Sequence, residues 1–287
     1  MKRILITGAN SFVGTSVERW LLREADRYSV DTFDTKIDAW QRADFANYDV
    51  VFHVAGIAHV DPRPEMAPLY YKVNRDLTIA IARAAKKAGV KQFIFMSSQI
   101  VYHASKSLHE TAIGPHTQPA PNDFYGDSKL QAERGLNELV SDDFKVAILR
   151  PCMIYGANGR GNFQRLARLA VRTPVFPLWH NRRSMLYIDN LCEFVRQAIV
   201  RQLSGTYHLQ NREYADTVEI VRHYAKANGH RLWCTRLFNP LVWLGARFLP
   251  SLCKMFSNQY YEPSLTTFDF DYQLVAFDES LRRIKLG

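Results

Sequence analysis

The chain has 287 residues, of which 47% are hydrophobic and 23% are charged, and it carries a formal net charge of +9. This length fits one large α/β domain, or a core domain with a smaller lobe, and the composition is that of a globular protein. The positive charge favours an anionic partner, but the basic residues are scattered and form no nucleic-acid-binding motif, so nucleic acid is not expected as a partner.

The cysteines and the apolar segments indicate the compartment. Cys152, Cys192, Cys234 and Cys253 are widely spaced and form no CxxC pair, which is typical of reduced cysteines with packing roles. The N-terminus leads straight into a strand without a signal segment, and no apolar run is long enough to cross a bilayer. The sequence therefore predicts a cytoplasmic protein without a disulfide framework or a zinc site.

Short apolar runs alternate with longer amphipathic stretches over the first two-thirds of the chain. The predicted strands are Ile4–Thr7, Ser29–Phe33, Val50–Val54, Phe93–Ser98 and Val146–Arg150. The predicted helices between them are Val13–Arg23, Glu65–Ala88 and Phe124–Val140. This alternation predicts an α/β fold, a Rossmann-type doubly wound parallel sheet with a small C-terminal α/β lobe.

A nucleotide-binding signature follows the first strand. The run Thr7-Gly8-Ala9-Asn10-Ser11-Phe12-Val13-Gly14 opens a helix, and its glycines permit a tight turn that faces the helix N-terminus towards a pyrophosphate. Ser11 stands at the usual middle glycine, so it either crowds the pyrophosphate or donates a hydrogen bond to it. Asp34, at the end of the second strand, is placed to bind the adenosine ribose and to repel a 2′-phosphate, whereas Asp31 lies inside the strand. The pattern favours NAD over NADP, although Lys36 lies close by.

Tyr125 and Lys129 are four residues apart on a predicted helix, and residues at this spacing share a face. A cation beside a phenol favours the phenolate, so Lys129 is expected to lower the pKa of Tyr125 from its ordinary value of about 10. Such a tyrosine can transfer protons near neutral pH. The polar stretch 103–122, which contains three prolines, ends just before this pair. We interpret it as a loop that covers the site, with a solvated excursion as the alternative.

A turn-rich join at residues 157–162 separates the first domain from the rest. The predicted domains are 1–158 plus about 187–205, which bind the dinucleotide, and 159–186 plus 206–287, which form the second lobe. The helices predicted in this part are Phe163–Arg172, Asn190–Arg201 and Thr217–Asn228. The apolar stretch Leu237–Phe256 is interrupted by two prolines and two basic residues. We interpret it as a helix hairpin packed on the lobe, with weak contact at a membrane surface as the alternative.

The chain resembles the extended short-chain dehydrogenases/reductases of the nucleotide-sugar epimerase/dehydratase family over nearly its whole length. The matching segments are the Gly8–Gly14 loop, Asp44-Phe45, His53-Val54-Ala55-Gly56, Val73-Asn74, Phe93–Val101, Tyr125–Lys129, Arg150-Pro151 and Arg183–Leu191. The resemblance implies that NAD is the cofactor and that, besides the loop and Asp34, it is bound by Asp44, Phe45, Val54, Ala55, Gly56, Ser97, Tyr125, Lys129 and Pro151. Among these, Asp44 and Phe45 are expected to contact the adenine.

The resemblance also implies the residues of catalysis and substrate binding. The catalytic group that works with Tyr125 and Lys129 is the hydroxyl of Ser98, and Asn74 shapes a helix for a proton relay. Asn162 lies where the family contacts the uridine, and Arg183 where it contacts the diphosphate. Two further residues, His59 and Asp61, are candidates for touching the sugar. Met153 replaces a common asparagine, so one polar contact is either missing or supplied elsewhere.

The two residues that directly follow Ser98 limit the reactions that the resemblance allows. Gln99-Ile100 stand where the 4,6-dehydratases of this family carry the Asp-Glu pair that removes water, so dehydration is not expected. The implied activity is a 4-epimerase of a UDP-hexose or UDP-N-acetylhexosamine, in a homodimer. An NAD(P)H-dependent 4-keto-sugar reductase would use the same residues, and a non-catalytic dinucleotide-sensing protein is the alternative outside enzymes.

Overall fold

The computed structural model describes residues 1–35, 40–41, 43–58, 63–103, 108–157, 159 and 162–284. Residues 162, 164, 165, 167, 250 and 254 are described along the backbone only. Lys36, His59, Asp61 and half of the join at 157–162 therefore lie outside the described part, and the expectations attached to them are not tested.

Twelve strands and ten α-helices are formed by the described residues. The strands are β1 (Lys2–Thr7), β2 (Tyr28–Phe33), β3 (Val50–His53), β4 (Gln92–Met96), β5 (Glu110–Ile113), β6 (Lys145–Pro151), β7 (Met153–Tyr155), β8 (Val175–Pro177), β9 (Met185–Tyr187), β10 (Gly205–Leu209), β11 (Trp233–Thr235) and β12 (Asn258–Tyr261). The helices are α1 (Phe12–Leu21), α2 (Ala67–Tyr70), α3 (Thr78–Lys87), α4 (Phe124–Asn137), α5 (Asn162–Arg172), α6 (Ile188–Arg201), α7 (Thr217–Ala227), α8 (Asn239–Gly245), α9 (Pro250–Phe256) and α10 (Phe277–Arg283). A π-helical segment, Tyr71–Leu77, joins α2 to α3.

A six-stranded sheet with the order β2-β1-β3-β4-β6-β10 forms the centre of the fold. Every neighbouring pair in it is parallel, as expected. The chain leaves β1 in one direction to β2 and then returns past β1 to β3, so the strand order reverses between β1 and β3. In sheets of this kind, ligands bind in the crevice at the carboxyl ends of the strands where the order reverses.

Helices cover both faces of this sheet, which is why its strands are apolar on both sides rather than alternating with polar residues. Successive residues of β1 point to opposite faces. Ile4 and Ile6 belong to the core that contains Val17 of α1, whereas Leu5 belongs to the core that contains Ile81 of α3. The predicted doubly wound α/β class is confirmed.

Outside the central sheet, the described residues form three two-stranded parallel pairs, β5 with β12, β7 with β9, and β8 with β11. The first pair changes the interpretation of the stretch 103–122, which was expected to be a loop throughout. In the described part of that stretch, Glu110–Ile113 forms β5 and pairs in parallel with Asn258–Tyr261. This part of the stretch is thus tied by backbone hydrogen bonds to the C-terminal strand β12.

The sixth strand of the central sheet spans Gly205–Leu209, which was not predicted as a strand from the sequence. The apolar stretch Leu237–Phe256 forms two short helices, α8 and α9, in agreement with the two helices of the predicted hairpin, because Pro250 can begin a helix but cannot continue one. No helix among the described residues is both long and apolar enough to cross a membrane.

Candidate active site

The glycine loop lies where β1 comes closest to the end of β3. Gly8 has a φ of +92°, and a Cβ added to it would lie 2.9 Å from the backbone nitrogen of Ala55. Gly14 is buried in α1, where an added Cβ would lie 2.7 Å from Ser11 Oγ. Only glycine therefore allows β1, the loop and the Val54–Gly56 segment to meet, while Asn10 takes the left-handed conformation in the turn between them (φ 64°).

Ser11 caps the first helix instead of crowding the loop. Its Oγ accepts a hydrogen bond from the backbone nitrogen of Gly14 at 3.0 Å, as N-cap serines do. The hydroxyl proton is not used in that bond, so it can be donated to a ligand at the helix N-terminus. Phe12 and Val13 follow as the first residues of α1. Of the two expectations for Ser11, the geometry favours donation over crowding.

The carboxylates expected near the adenosine occupy different positions. Asp34 directly follows β2, at the carboxyl edge of the sheet, whereas Asp31 lies inside β2 and accepts a hydrogen bond from the Tyr48 hydroxyl at 3.0 Å. Asp44 caps the short helical turn that begins at Phe45, whose ring is buried in the core beneath α3. The ribose contact of Asp34 and the adenine contacts of Asp44 and Phe45 stay predictions.

Gly8→Ala is expected to destabilise the protein and to weaken NAD binding. A non-glycine residue in the left-handed region costs about 1–2 kcal/mol, and at Gly8 the contact with Ala55 adds to that cost. Gly89→Ala is the matched control, because Gly89 has a φ of +87° and an added Cβ there would meet nothing within 4 Å. Thermal melting and NAD titration should show a larger loss for Gly8→Ala, and equal losses in both variants would contradict the close-approach role.

Ser98 and Tyr125 are brought together by the start of α4. Asp123 caps this helix, accepting from the Gly126 backbone nitrogen at 2.7 Å. A Cβ on Gly126 would lie 2.7 Å from the carbonyl oxygen of Ile100, so the first turn of α4 lies directly against the segment that follows Ser98. The Ser98 hydroxyl consequently hydrogen-bonds the Tyr125 phenol, and this bond favours the phenolate. The structure thus brings these two predicted residues together, and their catalytic roles stay predictions.

The pKa of Tyr125 does not follow the expectation. Although part of the side chain remains exposed, its phenol is surrounded by protein, and burial raises the pKa of Tyr125 to about 12. The hydrogen bond from Ser98 opposes this effect, while Tyr70 and Asp123 add to it. The lowering expected from Lys129 is not present, because its ammonium is held at the Met96 carbonyl.

Lys129 is a buried cation at the same site. Its Nζ donates to the carbonyl oxygen of Met96 at 2.8 Å and lies 4.7 Å from the centre of the Phe95 ring. A Cβ on Gly56 would lie 3.2 Å from that Nζ, so the ammonium reaches the edge of the segment expected to line the cofactor. Burial lowers the pKa of Lys129 to about 8, and Glu133 partly opposes the shift.

Asn74 connects three parts of the site. It is fully buried in the π-helical segment, and its side chain exchanges hydrogen bonds with the backbone nitrogen (2.8 Å) and oxygen (3.2 Å) of Ile57. Its Nδ2 also donates to the Ser128 hydroxyl of α4 at 3.2 Å. Single π-helical turns are frequent at functional sites. Asn74 thus holds the segment after Gly56 against the helix of Tyr125 and Lys129, and its part in a proton relay stays a prediction.

Sequence reasoning missed Glu133, which lies one helical turn beyond Lys129 and is almost fully buried. Its carboxylate accepts from the Ser97 hydroxyl and from the Arg150 guanidinium, with Nη2 at 2.5 Å. The spacing of Tyr125, Lys129 and Glu133 at intervals of four was a signal that could have found it. Ser97 uses its hydroxyl proton in this network, so its expected contact with the cofactor, like that of Pro151 at the end of β6, is not tested.

His53 was also missed as a structural element of the site. Its Nδ1 lies 2.7 Å from the Thr7 hydroxyl and its Nε2 lies 3.0 Å from the Thr78 hydroxyl. Because Thr78 donates its proton to the Asn74 carbonyl at 2.8 Å, it must accept from Nε2, which leaves Nδ1 to accept from Thr7. Burial, together with the charge of Lys129, lowers the pKa of His53 to about 3, so the ring is neutral.

Arg183 is a cation enclosed by protein at the second lobe. Arg183 lies two residues before β9, and its backbone pairs with that of Ala215. Its guanidinium donates a hydrogen bond to the Met255 carbonyl oxygen at 3.3 Å. No Asp or Glu among the described residues forms a salt bridge with it, and burial lowers the pKa of Arg183 to about 10. Such a charge suits an anionic ligand. Asn162 is the first residue of α5, but its side chain lies outside the described part.

These residues fit a bound dinucleotide. Gly8 and Gly56 let the loop pack against Ala55 and let the Val54–Gly56 segment pack against Lys129, and the N-terminus of α1 presents the Ser11 hydroxyl at the same edge of the sheet, where backbone N–H groups suit a pyrophosphate. The Ser98, Tyr125 and Lys129 side chains lie at the carboxyl ends of the adjoining strands. Fold and site together define an NAD-binding enzyme with the short-chain dehydrogenase/reductase architecture.

Comparison with known proteins specifies the family. The model of the NAD dependent epimerase/dehydratase family matches residues 4–209, which run from β1 to the end of β10. A UDP-glucose 4-epimerase from Vibrio cholerae is 32% identical over 270 residues, covering 84% of this chain and 82% of the relative. The chain belongs to the NAD dependent epimerase/dehydratase family, and NAD is its cofactor.

Two further comparisons bear on the fold and the substrate class. An N-acetyl-alpha-D-glucosaminyl-diphospho-ditrans,octacis-undecaprenol 4-epimerase from Escherichia coli O157:H7 is 26% identical, covering 90% of this chain and 82% of the relative. The crystal structure of a UDP-glucuronic acid 4-epimerase from Bacillus cereus in complex with NAD has a TM-score of 0.74 at 19% identity, covering 98% of this chain and 97% of the other. The latter likeness supports the fold.

Proposed function

We propose that this protein is an NAD-dependent nucleotide-sugar 4-epimerase that acts on a UDP-hexose or UDP-N-acetylhexosamine through a 4-keto intermediate. The observation that carries the proposal is the hydrogen bond between Ser98 and Tyr125, together with the buried ammonium of Lys129 one helical turn along the same helix. These groups lie next to the nucleotide loop, where a sugar carbon and a cofactor can meet. The names of the V. cholerae and E. coli relatives support the 4-epimerase reaction.

Each side chain of the site has its own role in the proposed reaction. When bound, NAD supplies a hydride acceptor that can return the hydride. Tyr125, as the phenolate, removes the proton of the C4 hydroxyl as C4 loses its hydride, which leaves a 4-keto sugar. Ser98 donates a hydrogen bond to the reacting oxygen, and Lys129 provides positive charge beside it. After the keto sugar turns over, Tyr125 returns the proton while C4 regains the hydride on its other face.

The identity of residue 99 favours epimerisation over dehydration. Gln99 directly follows Ser98, and its amide has no ionisable group with which to act as acid or base. Its Nε2 is enclosed by protein and has no hydrogen-bond partner among the described residues. Leaving a buried donor unpaired costs about 1–3 kcal/mol, so we infer that this amide donates to the bound sugar.

Arg183→Met is expected to raise the KM for a UDP-sugar roughly 100-fold and to change kcat only a few-fold. A buried guanidinium that binds the diphosphate stabilises the ground state and the transition state alike, so its loss appears as about 3 kcal/mol of binding. Arg182→Met is the matched control, since Arg182 is exposed and stacks on Tyr214 and Tyr260. Steady-state kinetics on both variants test the role, and a loss confined to kcat would contradict it.

The proposed reaction is tested by incubating the purified protein with UDP-glucose or UDP-N-acetylglucosamine and following the C4 epimer by NMR. Formation of the epimer without consumption of added NAD supports the proposal. A third arm uses N-acetylglucosaminyl-diphospho-undecaprenol, since the diphosphate that Arg183 would bind is common to both kinds of sugar carrier. Oxidation of NAD(P)H by a 4-keto sugar without any epimer would instead indicate the reductase, and no turnover in any arm would overturn the enzyme assignment.

A further inference from the structure

An exposed apolar face runs along the C-terminal lobe. Leu237, Leu241, Leu244 and Phe248 are spaced four, three and four residues apart, the spacing that places side chains on one side of a helix. Their exposed fractions are 76%, 63%, 49% and 76%, whereas Val242, on the opposite side of α8, is 5% exposed. We call these four residues the 237–248 face. The predicted packing of this segment on the lobe therefore accounts for only one of its sides.

The sequence on both sides of the 237–248 face is rich in basic and aromatic residues. Residues 220–261 contain no Asp or Glu, and their basic residues are Arg222, Lys226, Arg231, Arg236, Arg247 and Lys254. Trp233 and Trp243 are 74% and 51% exposed, and the Arg247 guanidinium lies 4.2 Å from the centre of the Trp243 ring. Exposed tryptophans beside Lys and Arg are typical of segments that lie at a membrane–water interface.

We propose that the 237–248 face docks on the surface of an anionic lipid bilayer. Its leucines and Phe248 would enter the boundary between headgroups and acyl chains, while the surrounding arginines contact acidic headgroups. A second copy of this chain is a poorer occupant, because a two-fold interface would bring the same basic segments together with no acidic residue from 220–261 to pair with them.

The helix α9, which follows the 237–248 face in the chain, contacts the expected anion site. The carbonyl oxygen of Met255, near the end of α9, accepts hydrogen bonds from Asn181 Nδ2 at 3.2 Å and from Arg183 Nη1 at 3.3 Å. The helix that follows the 237–248 face in the chain is therefore in contact with the arginine of the expected anion site. The docking proposal itself does not depend on the 4-epimerase reaction, since it rests on exposed residues outside the catalytic groups.

Flotation of the full chain with vesicles tests the proposal. Binding is expected to vesicles of phosphatidylcholine and phosphatidylglycerol in equal parts, to be weaker with phosphatidylcholine alone, and to fall as salt screens the charges. Removing one buried leucine or phenylalanine side chain should lower the partition coefficient roughly tenfold, so L241S/F248S should lose binding to both kinds of vesicle. R236Q/R247Q should lose only the preference for the anionic lipid.

L22S/L274S is the matched control, because Leu22 and Leu274 are 44% and 56% exposed but lie outside the 237–248 face. Its binding should equal that of the unmodified protein, and circular dichroism should show all variants folded. Failure of the unmodified protein to float with anionic vesicles at low salt would overturn the proposal. So would vesicle binding that L241S/F248S leaves unchanged, or sedimentation showing a dimer that this variant dissociates without any vesicle binding. Epimerase activity is measured separately, so its absence would overturn the proposed function and leave the docking result intact.

Discussion

Tyr125→Phe is expected to lower kcat by ~10³-fold while the protein stays folded and retains NAD, because general acid–base catalysis contributes about 10²–10⁴-fold. The substitution removes one hydroxyl, the group that Ser98 hydrogen-bonds, and keeps the ring that packs edge-on against Tyr70. Steady-state kinetics on the sugar nucleotide, together with the NAD content of the purified variant, provide the measurement.

Tyr71→Phe is the matched control for this experiment. Tyr71 begins the π-helical segment, and its phenol donates to the Asp127 carboxylate at 2.7 Å, away from the Ser98–Tyr125 hydrogen bond. Its turnover is expected to remain within a few-fold of the unmodified protein. Full activity of Tyr125→Phe, or an equal loss in both variants, would show that the Tyr125 hydroxyl does not carry the proton transfer.

The central sheet was predictable from sequence because its signals are local. Apolar runs such as Val50–His53, punctuated by glycine turns, identify buried parallel strands wherever they occur. The strand β5 was not predictable in this way. Glu110–Ile113 is short and only half apolar, and it becomes a strand only because Asn258–Tyr261, far along the chain, supplies the hydrogen-bonding edge. Short strands of this kind depend on a partner that local pattern does not reveal.

The positions of Tyr125 and Lys129 on one helical face were predictable from local sequence spacing, but their charge states were not. The spacing of Tyr125 and Lys129 predicted a shared helical face, and the structure places Ser98 in contact with that face. The charge state of the pair was not predictable from spacing. Burial decides it, and the degree of burial depends on how α4, β4 and the π-helical segment pack. The neutral His53, with protons assigned by Thr7 and Thr78, likewise requires three separate segments to meet.

The raised pKa of Tyr125 and the lowered pKa of Lys129 have one cause, the removal of both groups from water. Burial of this kind destabilises the phenolate that the reaction needs. It also leaves the ammonium only partly satisfied, by the Met96 carbonyl and by Glu133. We expect this site to be stabilised when a substrate and a cofactor add polar contacts to these buried groups. Strongly shifted pKa values are common at functional sites for this reason.

Lys129→Met is expected to lower kcat at least ~10²-fold, because the positive charge beside the reacting oxygen is removed while the volume of the side chain is kept. Lys87→Met is the control on exposed surface at the end of α3, and it should not change turnover. Kinetics at pH 7 with both variants provide the measurement. Unchanged turnover in Lys129→Met would remove this residue from the catalytic set.

The stability of the unmodified protein relative to Lys129→Met should depend on pH in a defined direction. The pKa of Lys129 is about 8 in the folded protein and 10.5 as its ordinary value. Below pH 8 both states are protonated and the penalty of burying the cation is complete. Between about pH 8 and 10.5 the unfolded chain binds more protons than the folded one, so the unmodified protein gains stability with rising pH. Its melting temperature relative to Lys129→Met should therefore rise from pH 7 to pH 10, and a constant difference would mean that the ammonium is not buried as the structure places it.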